Sequence, residues 1–309
     1  MLNKLSDETA RLIGSTQVIV NVSSVVKELV ENSIDAVSST IEVKLEDYGF
    51  CKIQVRDNGS GIKVADMQYA AQRHFTSKIT SDADLQTLTT YGFRGEGLSS
   101  LCEVADVSIC TRTKNEVHST LYILDSHGYI KSSKPCHAPV GTTVYVCDLF
   151  KQFPVRRQYF SSSKKKREQL KSTEDIIMAI ALAHPTIQIS LYNDKVMIWQ
   201  KPRTSSNRAA LTTVLSSSTA CSMEEHHAIS EDAAINITAF ITKPLLFRKT
   251  CDRCFVIVNK RPVRIPKIDK ALRSLCSESV DHVSPGKALC QVCAIHLINF
   301  SLIRHFFHC

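Results

Sequence analysis

The sequence predicts an α+β protein. Its first two hundred residues read as a mostly antiparallel sheet with helices, and a smaller α/β piece follows. Three observations carry this. Apolar and polar residues alternate at Thr40–Leu45 and Lys52–Arg56, as half-buried strands require, and successive strand-like segments follow from Val104 to Val146. Helical periodicity is strong at 23–36 and at 169–183. The stretch 201–207 (Lys-Pro-Arg-Thr-Ser-Ser-Asn) is polar and rich in breakers, and the charge balance changes across it.

In chain order, 3–13 reads as a short amphipathic helix and 63–72 as another. Residues 76–97 are loop-like and polar, with Gly92, Gly95 and Gly97 spaced through their end. Strands are expected at 104–111, 119–124, 129–132 and 142–146. After the long helix 169–183, a hairpin is expected at 187–192 and 196–200 around Asn193-Asp194. Beyond 201–207 come a helix (209–215), a polar stretch, strands at 234–241 and 254–259, and a helix at 267–276. No internal repeat is visible.

A chain of 309 residues, 43% hydrophobic and 22% charged, has room for about two globular domains. No basic-then-apolar leader opens it. The longest apolar stretch, 288–303, is broken by Gln291, His296 and Asn299 and falls short of the roughly 18 residues a span needs. A secreted or integral membrane protein is therefore not expected. Twelve Cys without a leader suggest free thiols in a reducing compartment. Two pairs have CxxC spacing, Cys251-Cys254 and Cys290-Cys293. Cys254 opens an apolar strand-like run and both pairs lack the usual turn glycine, so zinc is disfavoured.

The net charge of +8 is unevenly placed. Residues 1–200 hold 23 basic and 22 acidic residues, whereas 201–309 hold 15 and 8. Ten basic residues and two acids fall within 243–273, and eight basic residues and one acid within 151–171. Such clustering points to a polyanion partner, nucleic acid first, against the plainer reading of a solvated basic surface. Lys164-Lys165-Lys166-Arg167 fits either a nuclear import signal or a DNA-facing loop.

Four short patterns carry chemistry. On the 23–36 helix, Glu28, Asn32 and Asp35 fall on one polar stripe at ~100° per residue, opposite Val26, Leu29, Val30 and Ile34. A carboxylate one turn from a carboxamide can set a general base beside a ligand for hard Mg²⁺, though a solvated face looks the same. Asp57-Asn58-Gly59-Ser60-Gly61 ends a strand in a turn whose glycines admit close backbone approach. In Tyr91-Gly92-Phe93-Arg94-Gly95-Glu96-Gly97, glycines lead into a helix starting near Glu96, whose N–H groups can cradle phosphates, with Arg94 adding charge. No GKS or GKT follows, so this is not a Walker A loop. Gly141-Thr142 enters a strand.

Together, Glu28-x3-Asn32, Asp57-x-Gly59-x-Gly61, the 92–98 loop and Gly141-Thr142 resemble the Bergerat-type ATP fold of gyrase, Hsp90, histidine kinases and MutL. The wording of 25–36, of Thr76-Ser77-Lys78, of 92–96, of Leu149-Phe150-x3-Pro154-Val155-Arg156-Arg157 and of Val258–Val263 is similar to the MutL mismatch-repair family, in particular its eukaryotic postmeiotic-segregation (PMS) group. The resemblance covers about residues 5–276. It implies a two-layer α/β sandwich ATPase domain at 1–200, a linker at 201–207, a partial second domain of ribosomal S5 domain-2-like fold at 208–276, and a divergent tail at 277–309.

Carried over position by position, Glu28 would be the general base and Asn32 the Mg²⁺ ligand. Asp57 would accept from the adenine amine, with Gly59, Gly61 and Thr142 around the base. Thr76, Ser77, Lys78, Gly92, Phe93, Arg94, Gly95 and Glu96 would form the phosphate lid. The resemblance further implies ATP and Mg²⁺ as cofactors, slow turnover as a conformational switch, and a nuclear location. Implied partners are DNA held through phosphates (candidates Arg261, Arg264 and Lys267), a second MutL homologue and MutS homologues. The chain departs from the family's usual text at Gly97, where Ala is common, at Gly14–Val18, and after about Ser277. There Lys287 is a faint echo of a phosphate-contacting lysine, and the family's C-terminal dimerisation part is not expected. No endonuclease activity is expected of this chain. The competing reading is a truncated isoform that binds nucleotide or DNA without productive hydrolysis.

Overall fold

Asn21 opens the helix that matters most. Its side-chain oxygen accepts from Ser24 N (2.9 Å), and Ser24 Oγ accepts from Asn21 N (3.0 Å), a reciprocal capping box. The helix α2 (Val22–Asp35) then buries Val22, Val25, Val26, Leu29 and Val30. Helix α1 (Asp7–Val18) precedes it, capped by Ser6. The computed structural model describes residues 5–75, 90–91, 95–230, 235–243, 254–268, 270–271, 274 and 292–298.

Two compact units are present: Met1–Glu174 with Ile187–Gln200, and Asp175–Thr186 with Lys201–Cys309. In the first, strands β1 (Thr40–Glu46), β2 (Lys52–Asp57), β3 (Asp106–Arg112), β4 (Ser119–Leu124), β5 (Ile130–Cys136), β6 (Gly141–Cys147), β7 (Gln188–Asn193) and β8 (Val196–Lys201) form one sheet. Its order is β5-β4-β3-β6-β2-β1-β7-β8. The β1/β7 pair is parallel, while the β1/β2, β2/β6, β3/β6, β3/β4 and β4/β5 pairs are antiparallel. Alternate residues Ile41, Val43 and Leu45 on β1 and Ile53, Val55 and Asp57 on β2 are buried, and α2 packs on these two strands. On the opposite face, Lys44 pairs with Glu42 (2.8 Å) and lies over Tyr192, and Lys52 lies over Tyr145. One face covered by helices and one polar face make a two-layer sandwich.

Between β2 and β3 lie the short helix α3 (Val64–Met67) and helix α4 (Gly97–Val104), which packs against α1. The 63–72 segment is helical only at Val64–Met67 and continues as turns. Arg73 donates to Glu103 Oε1 (3.1 Å), Ser15 Oγ (2.9 Å) and the Arg11 carbonyl (3.2 Å), and Ser15 Oγ donates to Glu103 Oε2 (2.8 Å). Glu103 is buried. Glu103→Ala should therefore cost about 3 kcal/mol, because Arg73 loses its counter-charge in a part-buried site. A urea denaturation midpoint unchanged from wild type would contradict this.

Helices α5 (Pro154–Tyr159) and α6 (Ser163–Ala183) follow β6. Helix α6 begins six residues before the expected 169. Lys164–Arg167 therefore lies on a helix and not in a loop, with Lys166 bonded to both Asp47 oxygens at 2.7 Å. The expected hairpin forms as β7 and β8, with Asp194 and Lys195 both at positive φ.

The second unit contains α7 (Asn207–Leu215), α8 (Ser217–Cys221), β9 (Met223–Ser230), β10 (Ile235–Thr242), β11 (Val256–Val258), β12 (Arg261–Val263) and β13 (Val292–Ile298). Its sheet order is β12-β11-β13-β10-β9. The polar stretch after α7 holds α8 and β9, which the sequence hid. Strand β13 pairs antiparallel with β10 and parallel with β11, so part of the tail joins the sheet. Lys201 is fully buried, its Nζ donating to the carbonyls of Pro185 (2.7 Å) and Pro202 (3.2 Å). Burial pulls its pKa down to about 8. Among the described residues, no helix is long and apolar enough to cross a membrane.

Candidate functional site

The end of β2 and the stripe of α2 build the site. Asp57 Oδ1 accepts from Gly59 N (2.8 Å) and Thr142 N (3.2 Å), and Oδ2 accepts from Ser33 Oγ (2.9 Å). Asp57 is buried, and burial pushes its carboxyl above its ordinary range despite these three donors. Asp57 and Thr142 are expected here from the sequence, and Ser33 is not. Nor is Thr111, whose Oγ1 accepts from Ile62 N (2.9 Å) and lies 3.2 Å from Thr142 Oγ1.

Gly61 has φ +75, and a Cβ there would strike the Arg112 carbonyl. The close approach of the Arg112 carbonyl and the positive φ each require glycine here. Gly61→Ala should destabilise the first unit by about 1–3 kcal/mol. A thermal melt at or above the wild-type midpoint would refute that.

Glu28, Asn32 and Asp35 are half-buried on the stripe, as the helical spacing requires. The Glu28 carboxylate reaches the first turn of α4: a Cβ on Gly97 would sit 2.6 Å from its Oε2. The N-cap of α4, Glu96, makes no side-chain capping bond. A carboxylate thus lies beside a helix start whose own N-cap side chain makes no capping bond, where partial positive charge gathers. Asp35 Oδ1 accepts from Tyr91 N (2.9 Å). A Cβ on Gly95 would meet the Phe75 carbonyl, so residues 75 and 95 adjoin. Thr76, Ser77, Lys78, Gly92, Phe93 and Arg94 lie outside the described residues, as does Lys287. Gly95 and Glu96 lead directly into α4.

Asn32 and Glu28 offer oxygen donors one turn apart. Among the described residues, no group of three or more His, Cys, Asp or Glu could hold a metal ion. That donor set suits a cation held mostly by phosphate and water oxygens, as Mg²⁺ usually is, and it does not suit zinc. In the second unit, Arg264 and Lys267 are exposed and Arg261 is half-buried on β12.

Residues 20–143 match the family model of histidine kinase-, DNA gyrase B-, and HSP90-like ATPases, and residues 211–292 match that of the DNA mismatch repair protein C-terminal domain. The chain is 44% identical over 277 residues to human PMS1 protein homolog 1, covering 88% of this chain and 30% of that protein. It is 33% identical over 269 residues to MutL of Streptococcus thermophilus, covering 87% and 41%. The chain thus spans well under half the length of these relatives. Among solved structures, the N-terminal domain of a DNA repair protein superposes with TM-score 0.80 at 30% identity, covering 94% of this chain and 86% of that one. The Aquifex aeolicus MutL ATPase domain complexed with ADP gives TM-score 0.63 at 24% identity, covering 91% and 94%, a likeness of fold. The matches and the α2–β2–α4 arrangement agree: the chain belongs to the MutL/PMS DNA mismatch repair family, and its first unit has the fold of the GHKL ATPases.

Proposed function

We propose that the chain binds ATP with Mg²⁺ in its first unit and hydrolyses it slowly, as a conformational switch in DNA mismatch repair. The observation that carries this is the Glu28 carboxylate lying against the first turn of α4. A base and an anion-binding helix start meet there, which is what attack of water on a phosphoryl group needs. In this reading Asp57 Oδ2 accepts from the adenine amine, with Oδ1 fixed by Gly59 and Thr142. The amides from Gly95 into α4 hold phosphate oxygens. Glu28 takes the proton of the attacking water. Asn32 would hold Mg²⁺, which neutralises charge on the phosphate oxygens when bound.

Closure of the 76–94 segment over the nucleotide would convert binding energy into the switch. Thr76, Ser77, Lys78 and Gly92–Arg94 are the lid residues in this proposal, and Asp35, bonded to Tyr91, anchors its end. In the second unit, Arg261, Arg264 and Lys267 would contact DNA phosphates, giving weak, sequence-independent and salt-sensitive binding. A second MutL homologue, MutS homologues and a nuclear location complete the proposal. ATP turnover by the purified chain, wild type against Glu28→Ala, tests it. Binding with no wild-type turnover would leave a nucleotide-binding module instead.

A further inference from the structure

The polar face of the first sheet carries a feature unrelated to nucleotide chemistry. Cys110, on β3, is buried, and Cys136, at the end of β5, is partly exposed. Their sulfur atoms are 2.8 Å apart, inside non-bonded contact and approaching the roughly 2.05 Å of a disulfide. Strand pairing does not explain this. Strand β4 separates β3 from β5, and Cys110 faces Leu121 while Cys136 faces Ser119. Ser119 holds Cys136 and the connection that follows it. Its Oγ donates to the Cys136 carbonyl (2.6 Å), accepts from Ala138 N (2.8 Å), and lies 3.4 Å from the Cys136 sulfur. Beside the two thiols is a cavity of about 280 Å³, lined also by Arg56, His137, Thr143 and Tyr145.

We propose that Cys110 and Cys136 form a site of reversible oxidation, closing to a disulfide when the folded protein meets hydrogen peroxide. Cys136 is the thiol that reacts first. It is the more exposed, and the cavity admits a small oxidant beside it. Its sulfur attacks one peroxide oxygen, the O–O bond breaks, and a sulfenic acid and water form. The Cys110 sulfur then attacks the Cys136 sulfur, and the hydroxyl leaves with the Cys110 proton as a second water. In total, two thiols and one peroxide give one disulfide and two waters, and a dithiol reductant reverses the change. Cys110 suits the resolving role. Its sulfur already lies 2.8 Å from the Cys136 sulfur it must attack, and burial, with the neighbouring Cys136, pushes its thiol up to about 12, which slows its own reaction with peroxide. The bond would tie the 136–140 connection to β3, immediately before Gly141-Thr142 enters β6.

The test is peptide mapping of the reduced chain after brief hydrogen peroxide treatment and alkylation. The expected result is a linked 110/136 peptide pair, two hydrogens lighter than the free peptides, that disappears with dithiothreitol. Cys110→Ser should stop the link and leave Cys136 as a sulfenic acid that dimedone labels. Cys136→Ser should stop the link and leave Cys110 unlabelled. Circular dichroism of each variant establishes that it is folded. The proposal fails if both thiols remain alkylatable while the exposed Cys51 or Cys221 oxidises. It also fails if the same link forms equally in the denatured chain.

Discussion

Glu28→Ala should lower ATP turnover by about 10²–10⁴-fold while nucleotide affinity stays within a few-fold of wild type. Glu28 lies on the half-buried polar stripe of α2, one turn from Asn32, and its carboxylate rests on the first turn of α4. Removing it deletes a proton acceptor but no adenine contact and no helix-start amide. The loss therefore falls on kcat, since a group used mainly in the transition state leaves ground-state binding little changed. Single-turnover hydrolysis and analogue binding, measured on the same preparations, separate the two effects. Equal loss of binding and turnover would mean that Glu28 shapes the pocket and is not the base.

Asp57→Asn should weaken ATP binding by about 10–100-fold and narrow the preference for adenine, without unfolding the protein. The oxygen at the Oδ1 position receives two backbone N–H groups, from Gly59 and Thr142, so it must remain an oxygen. The new amide nitrogen then takes the Oδ2 position, where Ser33 can turn to accept from it. A donor would now face the donor amine of adenine, and a charge-assisted bond of about 1.5–3 kcal/mol is lost. Inosine triphosphate, which presents an acceptor there, should lose less.

Stability moves the other way. Burial raises the folded carboxyl above 3.8, so the folded state keeps its proton longer than the unfolded chain. The contribution of Asp57 to stability is full below 3.8 and is lost as pH rises through the folded value. Asn carries no such loss and should melt at or above the wild-type temperature at neutral pH. A large drop in melting temperature would show that the carboxylate itself holds the turn.

The polar stripe of α2 was legible because a helix turns residue spacing into a face. Glu28, Asn32 and Asp35 stay on the polar stripe. Ser33 was not legible, since it lies on the buried side among Val26, Leu29 and Val30 and its value depends on Asp57, which is distant in sequence. The start of α6 was hidden for a related reason. Its first turns are polar all round, and the Lys166 tie to Asp47 is tertiary. Strand β9 carries Glu224, Glu225, His226 and His227 in succession, with no alternation to read, and exists by pairing with β10. Wherever a residue's partner is remote, local pattern carries little information.

The measurement that bears most directly on the central claim is titration of the purified chain with a labelled non-hydrolysable ATP analogue, with and without Mg²⁺, beside Asn32→Ala. Asn32 sits one turn from Glu28 and offers a neutral oxygen to the cation. The account predicts tight binding by wild type that requires Mg²⁺, and loss of that magnesium dependence in the variant. A folded wild-type chain that binds no analogue, or binds it equally with and without Mg²⁺ in both proteins, would contradict the account.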